Sequence, residues 1–217
     1  MSRSQSRKSV DTPTTTHTDA HRAVFVVLGV VVVGAFLVAV ALSGGNTEEM
    51  PEAGTVALSG TALPEFAGGP SSDTAVGMIA PTLSGADFAG NEISITNDGR
   101  PKVILFLAHW CIHCQREVPA VQAYADTVGF PEEVDFYSVA TAYTPTKPNW
   151  PPSAWLAREG WSFPVVVDDP DSSAFAWFGR GGFPYYVFID SSGVVELRLS
   201  GEQDPATLAG ILSELAG

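Results

Sequence analysis

Residues 103–119 read VILFLAHWCIHCQREVP, and this stretch decides the fold. Its first five residues, 103–107, are all apolar and have the length of a strand that is buried on both faces. The two cysteines of the chain, Cys111 and Cys114, follow directly, and apolar residues at helical spacing predict a helix over 115–128. The stretch therefore predicts a buried strand that delivers a cysteine pair to the start of a helix.

The segments after this stretch alternate between strand and helix. Helices are predicted at 115–128, 151–159, 172–178 and from 204 onward, and strands at 93–95, 103–107, 134–140, 165–167, 185–189 and 194–199. Asp190-Ser191-Ser192-Gly193 has the composition of a tight hairpin turn between the last two strands. This order predicts an α/β domain whose central sheet is mostly parallel, mixed through the closing hairpin, and flanked by helices.

The first 75 residues differ in composition from the rest. Residues 1–22 are polar, with four basic and two acidic side chains, and are predicted to be a disordered tail. Residues 23–42, AVFVVLGVVVVGAFLVAVAL, carry no charge and are long enough to cross a bilayer as a helix. Residues 43–75 are rich in Gly, Ser, Thr, Pro and acidic residues, which predicts a flexible linker before a domain at 76–217.

The apolar segment predicts a single-pass protein of the cytoplasmic membrane. It is longer than the roughly 7–15 apolar residues of a signal peptide, but Ala39-Val40-Ala41 could serve as a cleavage site, so cleavage stays open. Basic residues before it and acidic residues after it predict the N-terminus inside and the domain outside. The net charge of −13, with residues 1–22 at +2, leaves a strongly acidic remainder that is ill suited to nucleic acid.

The cysteine pair itself is either a redox dithiol or half of a metal site. The sequence has no second C-x-x-C pair to complete a zinc ribbon. At a helix start, unsatisfied N–H groups and the helix dipole stabilise a thiolate, which is the attacking form of a thiol. Cys111 is therefore the expected nucleophile, and Cys114, one turn into the helix, is the expected resolving thiol.

Two histidines flank these thiols. His113, as an imidazolium or as a hydrogen-bond donor, would favour the Cys111 thiolate, unless it only caps the helix and faces water. Four potential metal ligands lie within six residues, namely His109, Cys111, His113 and Cys114. A copper- or zinc-handling module therefore stays an alternative to redox chemistry, as does a docking adaptor without chemistry.

These residues resemble the thioredoxin superfamily, and within it the membrane-tethered TlpA/ResA-like group. Trp110 is similar to that group's Trp before the nucleophile, and Pro119 to the proline that kinks the active-site helix. Residues 77–81, GMIAP, resemble its opening motif, and residues 182–190, GFPYYVFID, resemble its cis-proline loop and following strand. The resemblance covers residues 76–217 and implies a thioredoxin-like fold.

The resemblance also implies a thiol–disulfide oxidoreductase with a Cys111–Cys114 redox disulfide and no cofactor. Phe183 and Pro184 would form a cis-proline shelf where a substrate strand pairs beside the sulfurs, with Trp110 nearby. A trans proline that starts an edge strand is the alternative. Glu117 matches a glutamate that influences cysteine ionisation, and a buried carboxylate there could accept the proton of Cys114. An exposed helix residue is the alternative for Glu117.

Two departures from the family leave the direction of electron flow open. Thioredoxins carry a buried acid six residues before the first cysteine, where this chain has Leu105. His113 stands where the TlpA/ResA-like reductases typically have Pro, and it is more similar to DsbA and protein disulfide isomerase. The expected function is thiol–disulfide exchange on exported proteins, with a membrane electron-transfer partner, in either direction.

Overall fold

The computed structural model describes residues 52–69 and 72–217. The predicted tail, the predicted membrane anchor and the first part of the predicted linker lie outside the described residues. Among the helices of the described residues, none is long and apolar enough to cross a membrane.

The described residues form eight strands and four helices. In chain order these are β1 (Ala57–Ser59), β2 (Thr82–Ala86), β3 (Glu92–Ile95), β4 (Lys102–Leu107), α1 (Ile112–Thr127), β5 (Asp135–Ala140), α2 (Pro152–Arg158), β6 (Val165–Val167), α3 (Ser173–Trp177), β7 (Tyr185–Ile189), β8 (Val195–Ser200) and α4 (Pro205–Ala216). Each element predicted from the sequence is present. The sequence did not predict β1 and β2, because ALS and TLSGA are short and poor in β-branched residues.

A five-stranded mixed sheet with the order β6-β5-β4-β7-β8 forms the centre of the domain. β4 pairs in parallel with β5 and antiparallel with β7. The predicted hairpin joins β7 and β8, which pair antiparallel. Every residue of β4 is buried, as expected for a central strand that is covered on both faces.

Alternation along β4 sends its side chains into two separate cores. Leu105 and its neighbours on one face pack against α1, α2 and α4. Ile104 and Phe106 on the other face pack against α3 and a small antiparallel sheet, β1-β2-β3. The layers on both faces confirm the predicted thioredoxin-like α/β architecture of the domain.

The linker prediction for 43–75 was wrong in its described part. β1 pairs with β2, and Leu63 and Ala75 are buried in the core. The Gly54 N–H donates to the Asp168 carbonyl at 2.8 Å, and a Cβ on Gly54 would approach the Val167 carbonyl oxygen to 2.5 Å. Although its composition is polar, this segment finds backbone and side-chain partners on the domain, which therefore begins before residue 76.

A buried ion pair fastens this segment to the sheet. Arg198 of β8 is fully buried and pairs with Asp73 through both ends of the carboxylate, with Nε at 2.8 Å from Oδ2. Its Nη1 donates to the carbonyl oxygens of Pro64 at 2.9 Å and Phe178 at 3.2 Å. Burial raises the pKa of Asp73, but the Arg198 hydrogen bonds, the Ala75 N–H and the charge of Arg198 together outweigh it and hold that pKa below its usual range. The charge pair is thus kept ionised inside the domain.

We expect Arg198→Met to destabilise the domain by about 3–5 kcal/mol, because Asp73 would remain as an unpaired buried charge. Arg100→Met is the matched control, since it breaks a largely exposed pair with Asp135 and should cost less than about 1 kcal/mol. Urea unfolding, followed by tryptophan fluorescence, measures both changes. Equal losses in the two variants would contradict the role given to the buried pair.

Candidate active site

The cysteine pair lies at the carboxyl end of β4, where α1 begins. Cys111 is the N-cap residue of α1 and has an extended backbone. Cys114 points into the core between α1 and the sheet. Cys111 is partly exposed and Cys114 is fully buried, so a second protein can reach only the first sulfur directly.

The two thiols have opposite acidities. The hydrogen bond from Cys114 is the largest cause that lowers the pKa of Cys111, to about 5, against the effect of partial burial. The N–H groups of Cys114 and His113 and the charge of His113 act in the same direction. Burial raises the pKa of Cys114 well above its usual value, and the neighbouring Cys111 and Glu117 raise it further. At neutral pH, Cys111 is a thiolate and Cys114 is a thiol.

The predicted cis peptide bond is present between Phe183 and Pro184. The Phe183 carbonyl oxygen lies 3.7 Å from Cys111 Sγ. The Trp110 ring meets the Phe183 ring edge-on with centroids 6.0 Å apart, and its indole N–H donates to the Ala142 carbonyl at 2.7 Å. The fold therefore gathers Trp110, Phe183 and Pro184 around the accessible sulfur, although they come from two distant parts of the chain.

His113 is exposed and belongs to a charged cluster with Arg116 and Glu202. Its Nδ1 lies 2.6 Å from Glu202 Oε1, and Arg116 Nε donates to the same carboxylate at 2.9 and 3.1 Å. Arg116 Nη2 lies 2.9 Å from the same Nδ1, so this nitrogen faces both a carboxylate acceptor and a guanidinium donor. Arg116 first, and then His113, lower the pKa of Glu202 to about 2. Sequence reasoning missed Glu202, which is 89 residues from His113.

Glu117 is only 2% exposed, so the alternative of a solvent-facing helix residue is wrong. The Tyr186 hydroxyl donates to Glu117 Oε1, and the Gln203 N–H lies 3.0 and 3.1 Å from the two carboxylate oxygens. Burial raises the pKa of Glu117, while the bonds from Tyr186 and Gln203 oppose the rise. Glu117 follows Cys114 by one helical turn, and it is a titratable group beside the buried thiol.

The two histidines do not join the cysteines as a ligand set. The buried His109 donates from Nδ1 to the Pro148 carbonyl at 2.7 Å and accepts the Thr144 N–H at Nε2 at 3.2 Å. His113 faces Glu202. In residues 52–69 and 72–217, no group of three or more His, Cys, Asp or Glu side chains is placed to hold a metal ion. The geometry lends the metal-handling alternative no support.

Comparison with known proteins relates the chain to a single fold family. A model of the thioredoxin-like domain matches residues 90–216. A Pasteurella multocida protein named "Probable thiol:disulfide interchange protein DsbE-2" is 27% identical over 133 residues, or 60% of this chain. The chain spans only 65% of that curated relative's length.

Solved structures carry the same fold. The structure of MTB DsbF in its mixed oxidised and reduced forms is 27% identical, with a TM-score of 0.51, over 61% of this chain and 93% of that one. The thioredoxin domain of a thiol-disulfide oxidoreductase from Bacteroides vulgatus has a TM-score of 0.53 at 19% identity, over 67% of this chain and 100% of that one. At that identity the second likeness concerns the fold alone.

We expect Cys111 of the reduced protein to titrate near pH 5. Cys114→Ala should raise the pKa of Cys111, because it removes the strongest hydrogen bond to the thiolate. Cys114→Ser keeps an O–H donor at the same place and should raise that pKa less. The ultraviolet absorbance of the thiolate, followed in a pH titration, measures all three proteins. The same pKa in the Ala and Ser variants would show that the Cys114 hydrogen bond is not the cause.

Proposed function

Because the chain belongs to the thioredoxin-like domain family, we propose that it is an extracytoplasmic thiol–disulfide oxidoreductase that works through Cys111 and Cys114. The superfamily predicted from the sequence is confirmed, and the DsbE-like relative fits the TlpA/ResA-like group. One observation carries the activity. The partly exposed Cys111 lies at the N-cap of α1, 3.7 Å from the Phe183 carbonyl oxygen, with the buried Cys114 one turn behind it, and the pKa of Cys111 is lowered while that of Cys114 is raised.

The reductive half of the reaction proceeds in two displacements. The Cys111 thiolate attacks a substrate disulfide, forms a Cys111–substrate disulfide and releases one substrate thiolate, which takes a proton from water. Cys114 then gives its proton to the Glu117 carboxylate and attacks Cys111 Sγ, which breaks the bond to the substrate. The second substrate sulfur leaves as a thiolate and is protonated in turn. Two electrons pass to the substrate, and Cys111 and Cys114 become a disulfide. The oxidative direction is the reverse.

The surroundings of Cys111 suit a substrate in an extended conformation. The Phe183 carbonyl lies beside the sulfur, and the backbone before Pro184 can pair with a substrate strand. Trp110 and Phe183 supply aromatic surface, and Ile112 is 55% exposed next to the nucleophile. In this proposal, the substrate is bound by Trp110, Phe183 and Pro184, and His113 stabilises the Cys111 thiolate.

The proposal places the domain outside the cytoplasmic membrane, with protein thiols or disulfides as substrates. Its support is the basic tail, the apolar run at 23–42 and the acidic residues that follow. The relative named for thiol:disulfide interchange supports protein substrates. A membrane electron-transfer partner would restore the redox state of the pair after each turnover. No cofactor is required, because the two thiols hold both electrons.

We expect Cys114→Ser to trap a mixed disulfide on Cys111, because the variant attacks a substrate but cannot release it. Intact-protein mass spectrometry after incubation with insulin or oxidised glutathione detects the adduct. Cys111→Ser is the control and should form no adduct and catalyse no exchange. An adduct on Cys111→Ser, but not on Cys114→Ser, would reverse the roles assigned to the two thiols.

The redox potential decides the direction of electron flow. A stabilised Cys111 thiolate favours the reduced form, so we expect a potential above the roughly −270 mV of thioredoxin. His113→Pro should make the potential more negative, because proline lacks both the backbone N–H and the imidazole of residue 113, which lower the pKa of Cys111. Equilibration with glutathione buffers measures both proteins. A wild-type value near about −120 mV excludes a dedicated reductant, and one below about −250 mV excludes an oxidant.

A further inference from the structure

Glu117 has two hydrogen-bond partners whose part in the reaction has not been assigned, the Tyr186 hydroxyl and the Gln203 N–H. We propose that Tyr186 is a positioning residue that holds the Glu117 carboxylate beside Cys114 as the proton acceptor of the resolving step. The inference deepens the proposed function and rests on it. In this inference, Tyr186, a buried residue of β7, sets the pH range in which Cys114 can attack the mixed disulfide.

The position of Tyr186 in the sheet brings its hydroxyl to the cysteine side of the domain. Tyr186 pairs in register with Leu105 of β4, and both side chains pack in the core that contains Cys114. Because residue 105 is a leucine, β4 carries no titratable side chain at this position. The Tyr186 hydroxyl, approaching from the neighbouring strand, instead meets the Glu117 carboxylate, which approaches from α1. Cys114, Glu117 and Tyr186 are all at most 2% exposed, so bulk water reaches none of them freely.

The groups around Glu117 come from each element packed against it. α1 contributes Cys114, β7 contributes Tyr186, and the turn before α4 contributes the Gln203 N–H and the charge of Glu202. Burial and Glu202 raise the pKa of Glu117, and the two hydrogen bonds lower it. Burial, and then the charge of Glu117, raise the pKa of Tyr186 well above its usual value. Tyr186 therefore remains a donor throughout the working pH range.

The direction of the effect follows from these contacts. A hydrogen bond to the charged form of an acid favours ionisation, so removing the Tyr186 hydroxyl makes Glu117 harder to ionise. Only the ionised carboxylate can accept the Cys114 proton. The rate of the resolving step should therefore fall on the acid side of its pH profile, and the inflection should move to higher pH. A purely structural tyrosine would lower the unfolding temperature and leave that inflection in place.

The test isolates the resolving step. Cys111 of the full chain is converted to its mixed disulfide with thionitrobenzoate, and attack by Cys114 releases the coloured thiolate in a single turnover. In Tyr186→Phe we expect the inflection at higher pH and release about tenfold slower below it, which corresponds to a pKa change of about one unit. Glu117→Gln should lack the inflection, and adding Tyr186→Phe to Glu117→Gln should change the profile no further.

Tyr185→Phe is the matched control. Tyr185 is the fully buried neighbour on the same strand, but it points into the opposite core and donates its hydroxyl to the Phe178 carbonyl at 2.9 Å. This variant loses a buried hydroxyl of the same kind without any contact with Glu117, so its inflection should match that of the wild type. Carbon NMR of the labelled Glu117 carboxyl provides a second, direct reading of the shift in Tyr186→Phe.

The outcomes separate this inference from the function on which it rests. If wild-type Cys114 releases thionitrobenzoate but Tyr186→Phe keeps the wild-type inflection, the positioning role is overturned and the dithiol chemistry stands. An equal shift in Tyr185→Phe overturns the positioning role as well. If Cys114 of the wild type never releases the label, the proposed dithiol mechanism fails, and the role of Tyr186 fails with it.

Discussion

The constraint on which the candidate site depends is the placement of the two cysteines at the start of α1, with Cys111 partly exposed at the N-cap and Cys114 buried one turn later. This placement holds because β4 ends at the point where α1 begins. β4 is buried on both faces, so its end has little freedom to shift. The Phe183–Pro184 loop reaches the same sulfur from β7, the antiparallel neighbour of β4. The central sheet thus places both halves of the site.

Two groups of polar and charged side chains lie near the two sulfurs, one group at the surface and the other in the core. His113, Arg116 and Glu202 lie at the surface near Cys111, where salt screens their effect. Glu117 and Tyr186 lie in the core near Cys114, where salt does not reach them. The turn before α4 contacts both groups of side chains. Its Glu202 carboxylate binds His113 at the surface, and the N–H of its Gln203 donates to Glu117 in the core.

For several residues, the sequence did not predict which parts of the chain surround them. The resemblance to the TlpA/ResA-like group made Glu117 a candidate, but an exposed residue and a buried base both remained open, because helical spacing alone does not say what covers a face of the helix. Residues 43–75 were predicted to be a linker because their composition is polar. One of its partners, Arg198, lies 125 residues away from Asp73 in the chain and leaves no local signal. Tyr186 lies in the strand predicted at 185–189, but its contact with Glu117 joins residues 69 positions apart and leaves no local signal.

Sequence patterns alone predicted the buried strand β4, the cysteine pair at the start of α1 and the alternation of strands and helices, and the resemblance to the TlpA/ResA-like group implied the cis-proline loop. These features are local, since periodicity and a short motif are set by neighbours along the chain. The tertiary structure alone showed that Glu117 is buried, that Glu202 faces His113 and that residues 52–69 and 72–75 belong to the domain. Each of these depends on contacts between residues far apart in the chain, such as Glu117 and Tyr186 at a separation of 69 residues. Packing, and not local pattern, brings such residues together.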